Sequence, residues 1–136
     1  MSKPPRPVAD IRSYHAHVYF DPATTRGQAE WLREQVAQRF RVRLGRWHER
    51  RIGPHDQAMF QIAFLTGVFP TLVPWLMINH GDLSVLIHPN TDNARKDHLV
   101  NAIWIGERLR IHGEVLPESE EVNLEMEPNT EPTLQP

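Results

Sequence analysis

The sequence predicts an α+β domain with the ferredoxin-like element order βαββαβ and an extra C-terminal helix. Two observations indicate this class. Residues 13–20 alternate in side-chain polarity and are rich in aromatic and β-branched residues, as in a half-buried strand. A helical apolar stripe follows, and later strand-like and helix-like stretches repeat the alternation. We therefore expect an antiparallel sheet with one helix-covered face and one face open for a site or a partner chain.

Four short strands are expected, each bounded by turn-forming residues. Asp21-Pro22 ends the first strand. A polar loop at 47–56, broken by Gly53-Pro54, separates the second strand from the third. The predicted strands are residues 13–20, 41–46, 58–65 and 83–88.

Three helices are expected between and after these strands. Thr24 or Thr25 can cap the first helix, and its apolar side chains recur at three- and four-residue spacing. Pro74 suits the first turn of a short second helix. The predicted helices are residues 25–40, 74–79 and 92–105, the last starting at Asp92 or Asn93.

Composition divides the chain of 136 residues into a lead-in, a domain and a tail. Residues 1–12 are a proline-rich lead-in, 13–113 form the domain, and 114–136 are acidic and expected to be disordered. The tail contains seven Glu and no Lys or Arg, so the rest of the chain is net positive. That charge suits an anionic small molecule but is too diffuse to indicate a nucleic-acid partner.

The absence of cysteine excludes disulfides and cysteine-ligated zinc. Any metal must therefore be held by His, Asp or Glu. No stretch approaches the length of a membrane span, and the amino terminus lacks the apolar run of a signal peptide. We therefore expect a cytoplasmic protein that does not contact membranes.

Several of the eight histidines are expected to meet at one end of the sheet. His15 and His17 share the face of the first strand that also carries Tyr19. His88 ends the fourth strand, and His55 precedes the third. We expect the fourth strand to be antiparallel to the first strand and the third strand to be parallel to the first. This topology brings the four histidines to one end of the sheet. Imidazole is a common ligand of divalent iron, zinc and copper, so the cluster predicts a metal site.

His98 is expected on the last helix, which leaves from the same end of the sheet. It can return to the edge of this site. The alternative is a solvated helix histidine beside Asp97.

With these residues in view, the chain resembles the DOPA 4,5-dioxygenase family. The resemblance covers residues 13–106 and rests on several motifs in the same order. They are Tyr-His-Ala-His-Val-Tyr-Phe at 14–20, Gly-Pro-His at 53–55 with Met-Phe at 59–60, Pro-Trp-Leu-Met at 74–77, the run from glycine to threonine at 81–91, and Asp-His at 97–98. Asp56 and Asp92 depart from the family pattern, which has proline and glycine there.

The resemblance implies extradiol cleavage of a catechol such as DOPA by dioxygen at a bound metal. Ferrous iron is the expected ion, and zinc is an alternative occupant. On this basis His17, His55 and His88 are the predicted ligands, and His15 and His98 are the predicted acid–base groups. Tyr19 is predicted to contact the substrate.

Four alternatives remain open at this point. His15 and His17 can exchange roles, and Asp97 can replace one histidine as a ligand. The site can also belong to a hydrolytic zinc enzyme. Finally, the chain can be a binding module whose open sheet face forms a homodimer, the oligomeric state expected in either case.

Overall fold

The computed structural model describes residues 3–118 and 126–136, and it confirms the α+β class. Eight helices and strands follow one another in these residues, together with short 3-10 turns. They are β1 (Ser13–Phe20), α1 (Arg26–Arg39), β2 (Arg43–His48), β3 (Ala58–Phe64), α2 (Phe69–Asn79), β4 (Ser84–Asn90), α3 (Ala94–Leu99) and β5 (Ile103–Ile105).

The strands form one antiparallel sheet in the order β2-β3-β1-β4-β5. β1 lies in the middle and runs antiparallel to both β3 and β4. The prediction that β3 runs parallel to β1 was therefore wrong. The crossover through α1 leaves β2 parallel to β1, and the following hairpin reverses the chain, so β3 is antiparallel. Consequently Tyr14 pairs with Phe64 at the end of β3.

One face of the sheet carries the main core. Ala16, Val18 and Phe20 of β1 point to this side and are at most 2% exposed. Leu32 of α1 and Leu76 of α2 are fully buried against it. The apolar stripe predicted for the first helix is thus the surface that covers the sheet.

The C-terminal helix is shorter than predicted. Asn93 caps α3 by accepting a hydrogen bond from the Lys96 amide at 3.0 Å, and the helix ends at Leu99. Residues 103–105 form β5, where Val85 of β4 pairs with Ile105. This β-branched stretch gains backbone hydrogen bonds at the sheet edge that a longer helix would forgo.

Several other boundaries also differ from the prediction. α2 starts at Phe69, with Pro70 in its first turn and Pro74 in its interior. Pro70 fits because the first helical amides have no partner within the helix. β2 begins at Arg43 rather than at residue 41. Within residues 3–118 and 126–136, none of the helices combines the length and the apolar character that a membrane crossing requires.

Part of the segment predicted to be a disordered tail lies against the domain. Thr130 is 6% exposed. Its hydroxyl donates to the Phe40 carbonyl at 2.6 Å and accepts from the Val42 amide at 3.0 Å. Asn129 exchanges side-chain hydrogen bonds with the amide and the carbonyl of Leu44 at 2.7 and 2.9 Å. The prediction of disorder is therefore wrong for residues 126–136. It considered only apolar burial, whereas hydrogen bonds hold this segment against the domain. Residues 119–125 of the predicted tail lie outside the described residues.

Replacing Thr130 by alanine should destabilise the protein. The change leaves the Val42 amide and the Phe40 carbonyl without their hydroxyl partner, which costs about 1–3 kcal/mol. Thr133→Ala is the matched control, because Thr133 bonds through its backbone amide to Gln38 and should change stability by less than about 0.5 kcal/mol. Urea denaturation measures both variants. Equal stability of the two variants would show that the Thr130 hydroxyl does not stabilise the domain.

Candidate metal centre

Three imidazoles project from two neighbouring strands onto the face opposite the main core. His15 and His17 are two residues apart on β1, so they share this face. His88 of β4 stands directly opposite His15 in the strand register. The Nε2 atoms of His17 and His88 are 3.0 Å apart, and both side chains are buried. The sequence-predicted meeting of these three histidines is present in the structure.

His55 joins them by a different route from the one predicted. Because β3 is antiparallel to β1, the sheet register carries the start of β3 towards Phe20, away from His15. His55 instead lies on a loop folded over the histidine face, where it forms an isolated bridge with Ile111. Its ring centroid is 4.3 Å from that of His17.

His98 is part of the same cluster. α3 turns back over the face, which places the His98 ring centroid 3.8 Å from that of His88 and 5.6 Å from that of His17. The side chain is 9% exposed. The solvated alternative considered for His98 therefore does not describe it.

The histidines form two groups of three, and within each group the three possible ligand atoms lie within 4.8 Å of one another. The first group is His15, His17 and His88, and the second is His17, His55 and His98. Both groups could hold a metal ion, and His17 belongs to both. The predicted ligand set His17, His55 and His88 takes members from each group.

Backbone hydrogen bonds orient two of these rings. The Nδ1 atom of His88 lies 2.9 Å from the Pro89 carbonyl, and that of His98 lies 2.8 Å from the Ala94 carbonyl. Because a carbonyl oxygen only accepts, each Nδ1 carries the proton and each Nε2 keeps a free lone pair. Metal-binding histidines in proteins are commonly held in this way.

The tautomer of His88 leaves a buried nitrogen of His17 without a partner. Since His88 Nε2 is an acceptor, His17 Nε2 must donate across the 3.0 Å separation. The Nδ1 atom of His17 then has a lone pair, and it is buried without a hydrogen-bond partner among the described residues. Such a group costs free energy, and a cation within the cluster would satisfy it.

Burial keeps the five imidazoles neutral near pH 7. Desolvation lowers the pKa of His15 and of His55 from 6.5 to about 4. Desolvation also lowers the pKa of His17 and of His88 well below the usual range, with neighbouring histidines adding to the shift. The pKa of His98 is lowered by desolvation as well, against the raising effects of the Ala94 carbonyl and Asp97. Neutral imidazole is the form that binds metals.

Asp97 serves the turn before α3. Its two carboxylate oxygens accept from the Thr91 amide at 2.8 Å and from the Thr91 hydroxyl at 2.7 Å. Asp97 belongs to neither three-residue group. The alternative in which it replaces a histidine as a ligand therefore lacks support from the geometry.

Tyr19 extends the cluster along β1. Its hydroxyl is 2.7 Å from Nδ1 of His55, and its side chain is 2% exposed. Burial raises the pKa of the Tyr19 phenol, so the hydroxyl keeps its proton. Trp104 of β5 stacks on the Tyr19 ring with centroids 5.8 Å apart. This contact could not be expected from the predicted helix at 92–105, because Trp104 lies instead on a strand beside β4.

Comparisons with known proteins identify a matching family and two similar sequences. A model described as the Dopa 4,5-dioxygenase family matches residues 14–115. A DOPA 4,5-dioxygenase from Amanita muscaria is 31% identical over 127 residues, which cover 86% of this chain and 55% of the relative. An uncharacterized 21.2 kDa protein from Botryotinia fuckeliana is 37% identical over 113 residues, which cover 76% of this chain and 60% of the relative.

A solved structure has the same fold. The crystal structure of a candidate dioxygenase from Nostoc punctiforme is 44% identical to this chain with a TM-score of 0.80. The match covers 82% of this chain and 96% of that one. This chain thus spans nearly all of the solved relative, but only 55% and 60% of the two fungal relatives.

Proposed function

Since the chain belongs to the Dopa 4,5-dioxygenase family, we propose that it is a metal-dependent extradiol dioxygenase acting on a catechol such as DOPA. The observation that carries the proposal is the cluster of five histidines on one sheet face, buried and neutral near pH 7. Such a set of lone pairs fits a divalent cation of the first transition series. Ferrous iron is the proposed ion, and zinc is an alternative occupant.

We propose His15, His17 and His88 as the residues that hold the ion. They project from two paired strands, the most rigid part of the site, and their ligand atoms form one of the two compact groups. This choice keeps His17 and His88 from the sequence prediction and takes His15 in place of His55. When bound, ferrous iron would supply open coordination positions for a catechol and dioxygen and a redox-active centre through which the catechol could reduce dioxygen.

His55 and His98 are then the proposed acid–base groups. His98 presents an unprotonated Nε2, because its Nδ1 proton is held by the Ala94 carbonyl. It can accept a proton from a catechol hydroxyl, and its lowered pKa keeps it unprotonated beforehand. The proton on His55 can lie on either ring nitrogen, because the Tyr19 hydroxyl both donates and accepts. His55 can therefore take up a proton at Nε2 and later return it.

Tyr19 is proposed to act through His55. It was predicted to contact the substrate, but its hydroxyl bonds to the His55 ring and its side chain is buried. This bond holds the ring in place above His17. Tyr19 is thus a positioning residue in the present proposal.

Oxygen consumption tests the proposed reaction. The protein, purified without a His tag, is reconstituted with ferrous iron and mixed with DOPA and other 4-substituted catechols. We expect a yellow ring-opened product with one dioxygen consumed per product, and both atoms of labelled dioxygen in the product. The zinc-loaded protein is the matched control and should give no product, since zinc has no redox chemistry.

Two rival functions give different results in the same experiment. Product without oxygen consumption, strongest with zinc, would indicate a hydrolytic enzyme. Bound iron without turnover of any catechol would favour the binding module. That module was expected to dimerise through the open face, yet His17 and His88 on this face are only 3% and 1% exposed in a single chain.

The ligand assignment makes a separate prediction. His15→Gln should strongly reduce the bound iron, because the variant removes one of three ligands. His55→Gln should keep the iron but lower kcat by about 100-fold, as expected for a lost acid–base group. Metal analysis and steady-state kinetics on both variants decide between the two roles. Loss of iron in His55→Gln alone would instead support the ligand set predicted from the sequence, which is His17, His55 and His88.

The homodimer and the cytoplasmic location also belong to this proposal. Because the histidine face is buried within one chain, a dimer contact would lie elsewhere on the surface. Sedimentation of the full chain tests the first, and fractionation of the source cells tests the second.

A further inference from the structure

Besides the Tyr19 hydroxyl, His55 has contacts outside the sheet that hold it in the cluster. It precedes β3, and the strand register leads away from the other histidines. Its amide donates to the Ile52 carbonyl at 3.0 Å within the same loop. That local turn does not fix the loop relative to the sheet. Tyr19 of β1 holds the His55 ring through its hydroxyl, and the contacts that hold the loop backbone come from the segment after β5.

His112 contacts the loop on both sides of His55. The His112 amide donates to the Pro54 carbonyl at 2.8 Å. The His112 Nε2 donates to the Asp56 carboxylate at 2.6 Å. Between these two contacts, His55 itself bridges to Ile111. The backbone of His55 is therefore held between two hydrogen bonds to one residue.

Of the two hydrogen bonds between His112 and the loop, the one to Asp56 joins two side chains. Both side chains are half-buried, with 30% and 27% of their surface exposed. At 2.6 Å it is a short bond to a carboxylate, the stronger kind of hydrogen bond. Arg51 lies 3.8 Å from the same carboxylate oxygen, but its side chain is 79% exposed. Solvent screening leaves that second contact little strength.

We propose that Asp56 and His112 are positioning residues that set the place of His55 for proton transfer. The proposal rests on the function proposed above.

Variants of Asp56 test the proposal in the iron-loaded full chain. Asp56→Ala removes the acceptor for His112 and should lower kcat by about 10- to 100-fold, the size of effect expected from a misplaced catalytic group. Asp56→Asn keeps an acceptor oxygen and should recover much of this loss. Bound iron should stay unchanged in both, because neither variant alters a proposed ligand.

A second measurement does not depend on turnover. Diethylpyrocarbonate modifies accessible imidazoles, and mass spectrometry reports the rate at each histidine. His55 is 4% exposed, so its rate should be low in the parent and rise several-fold in Asp56→Ala, while the rate of His17 stays low. His112→Ala should have the same effect, and the double variant should add little, because the two residues form one contact.

Glu114→Gln is the matched control. Glu114 approaches the other ring nitrogen of His112 at 3.4 Å but is 72% exposed. We expect parental kcat and a parental His55 modification rate in this variant. A folded Asp56→Ala protein with parental His55 modification would overturn the proposal, whether or not the parent turns over a catechol. No turnover in the parent, together with faster modification in Asp56→Ala, would overturn the proposed function alone.

Discussion

His17→Ala should abolish metal binding and turnover together. His17 belongs to both groups of histidines that could hold an ion, so its removal damages either arrangement. A three-histidine site reduced to two ligands should fall from about one equivalent of bound metal to a small fraction of it. His88→Ala should behave in the same way, because His88 Nε2 lies 3.0 Å from His17 Nε2. Elemental analysis and oxygen uptake measure the two effects.

His80→Gln is the control for the loss of any histidine. His80 lies at the end of α2, where its Nδ1 bonds to the Leu83 carbonyl at 2.7 Å, and it belongs to neither group. It should keep metal and turnover. Full metal occupancy in a folded variant lacking His15, His17, His55 and His88 would show that the cluster is not the metal site.

The metal-free protein should lose most of its stability as the pH falls from 6.5 to 4. In this window an unfolded chain protonates its histidines, whereas His15 and His55 in the folded protein have pKa values of about 4. The unfolded state thus binds more protons, and the free energy of unfolding falls with falling pH. The stabilisation is complete above pH 6.5. Each of these two histidines accounts for about 3 kcal/mol across the window.

His17 and His88 should add to this effect, since burial and their histidine neighbours also lower their pKa values. The free energy of unfolding of a small domain is only about 5–15 kcal/mol, so unfolding near pH 5 is the expected outcome. Urea denaturation between pH 7.5 and 4.5 measures the slope. His15→Gln with His55→Gln should flatten it, because neither glutamine titrates. A stability that stays constant from pH 7 to pH 5 in the parent would contradict the prediction.

Much of the site was predictable from the two-residue period of a strand. Alternation places His15 and His17 on one face of β1, whatever the rest of the fold. The antiparallel pairing of β1 with β4 then brings His88 opposite His15. These steps use only local patterns and one topological rule. They identified the three residues that we now propose as ligands, although the sequence prediction gave His15 an acid–base role.

His55 was placed in the cluster on an argument that the structure contradicts. The predicted parallel β3 would have brought it there through the sheet, whereas a loop held by His112 does so. Loop paths depend on contacts between distant residues, which a single sequence does not display. The resemblance to the family still pointed to His55, because the Gly-Pro-His motif at 53–55 can be recognised without knowing the path of the loop.

The end of the chain was harder to predict for a similar reason. Asp92 to Ile105 carries helical signals at its start, but the edge of β4 offers hydrogen bonds that favour a strand over residues 103–105. Composition alone suggested that the acidic tail has no structure. Composition does not show that the Thr130 hydroxyl can form hydrogen bonds with backbone groups just before β2.

The contact between Asn129 and Leu44 also bears on how this protein avoids aggregation. β2 is an outer strand, and the backbone groups of an outer strand can recruit a strand from another molecule. The Asn129 side chain occupies the amide and the carbonyl of Leu44, as a neighbouring strand would. The C-terminal segment thus covers part of an exposed edge. Chains cut before residue 126 should therefore self-associate at concentrations where the full chain stays dispersed.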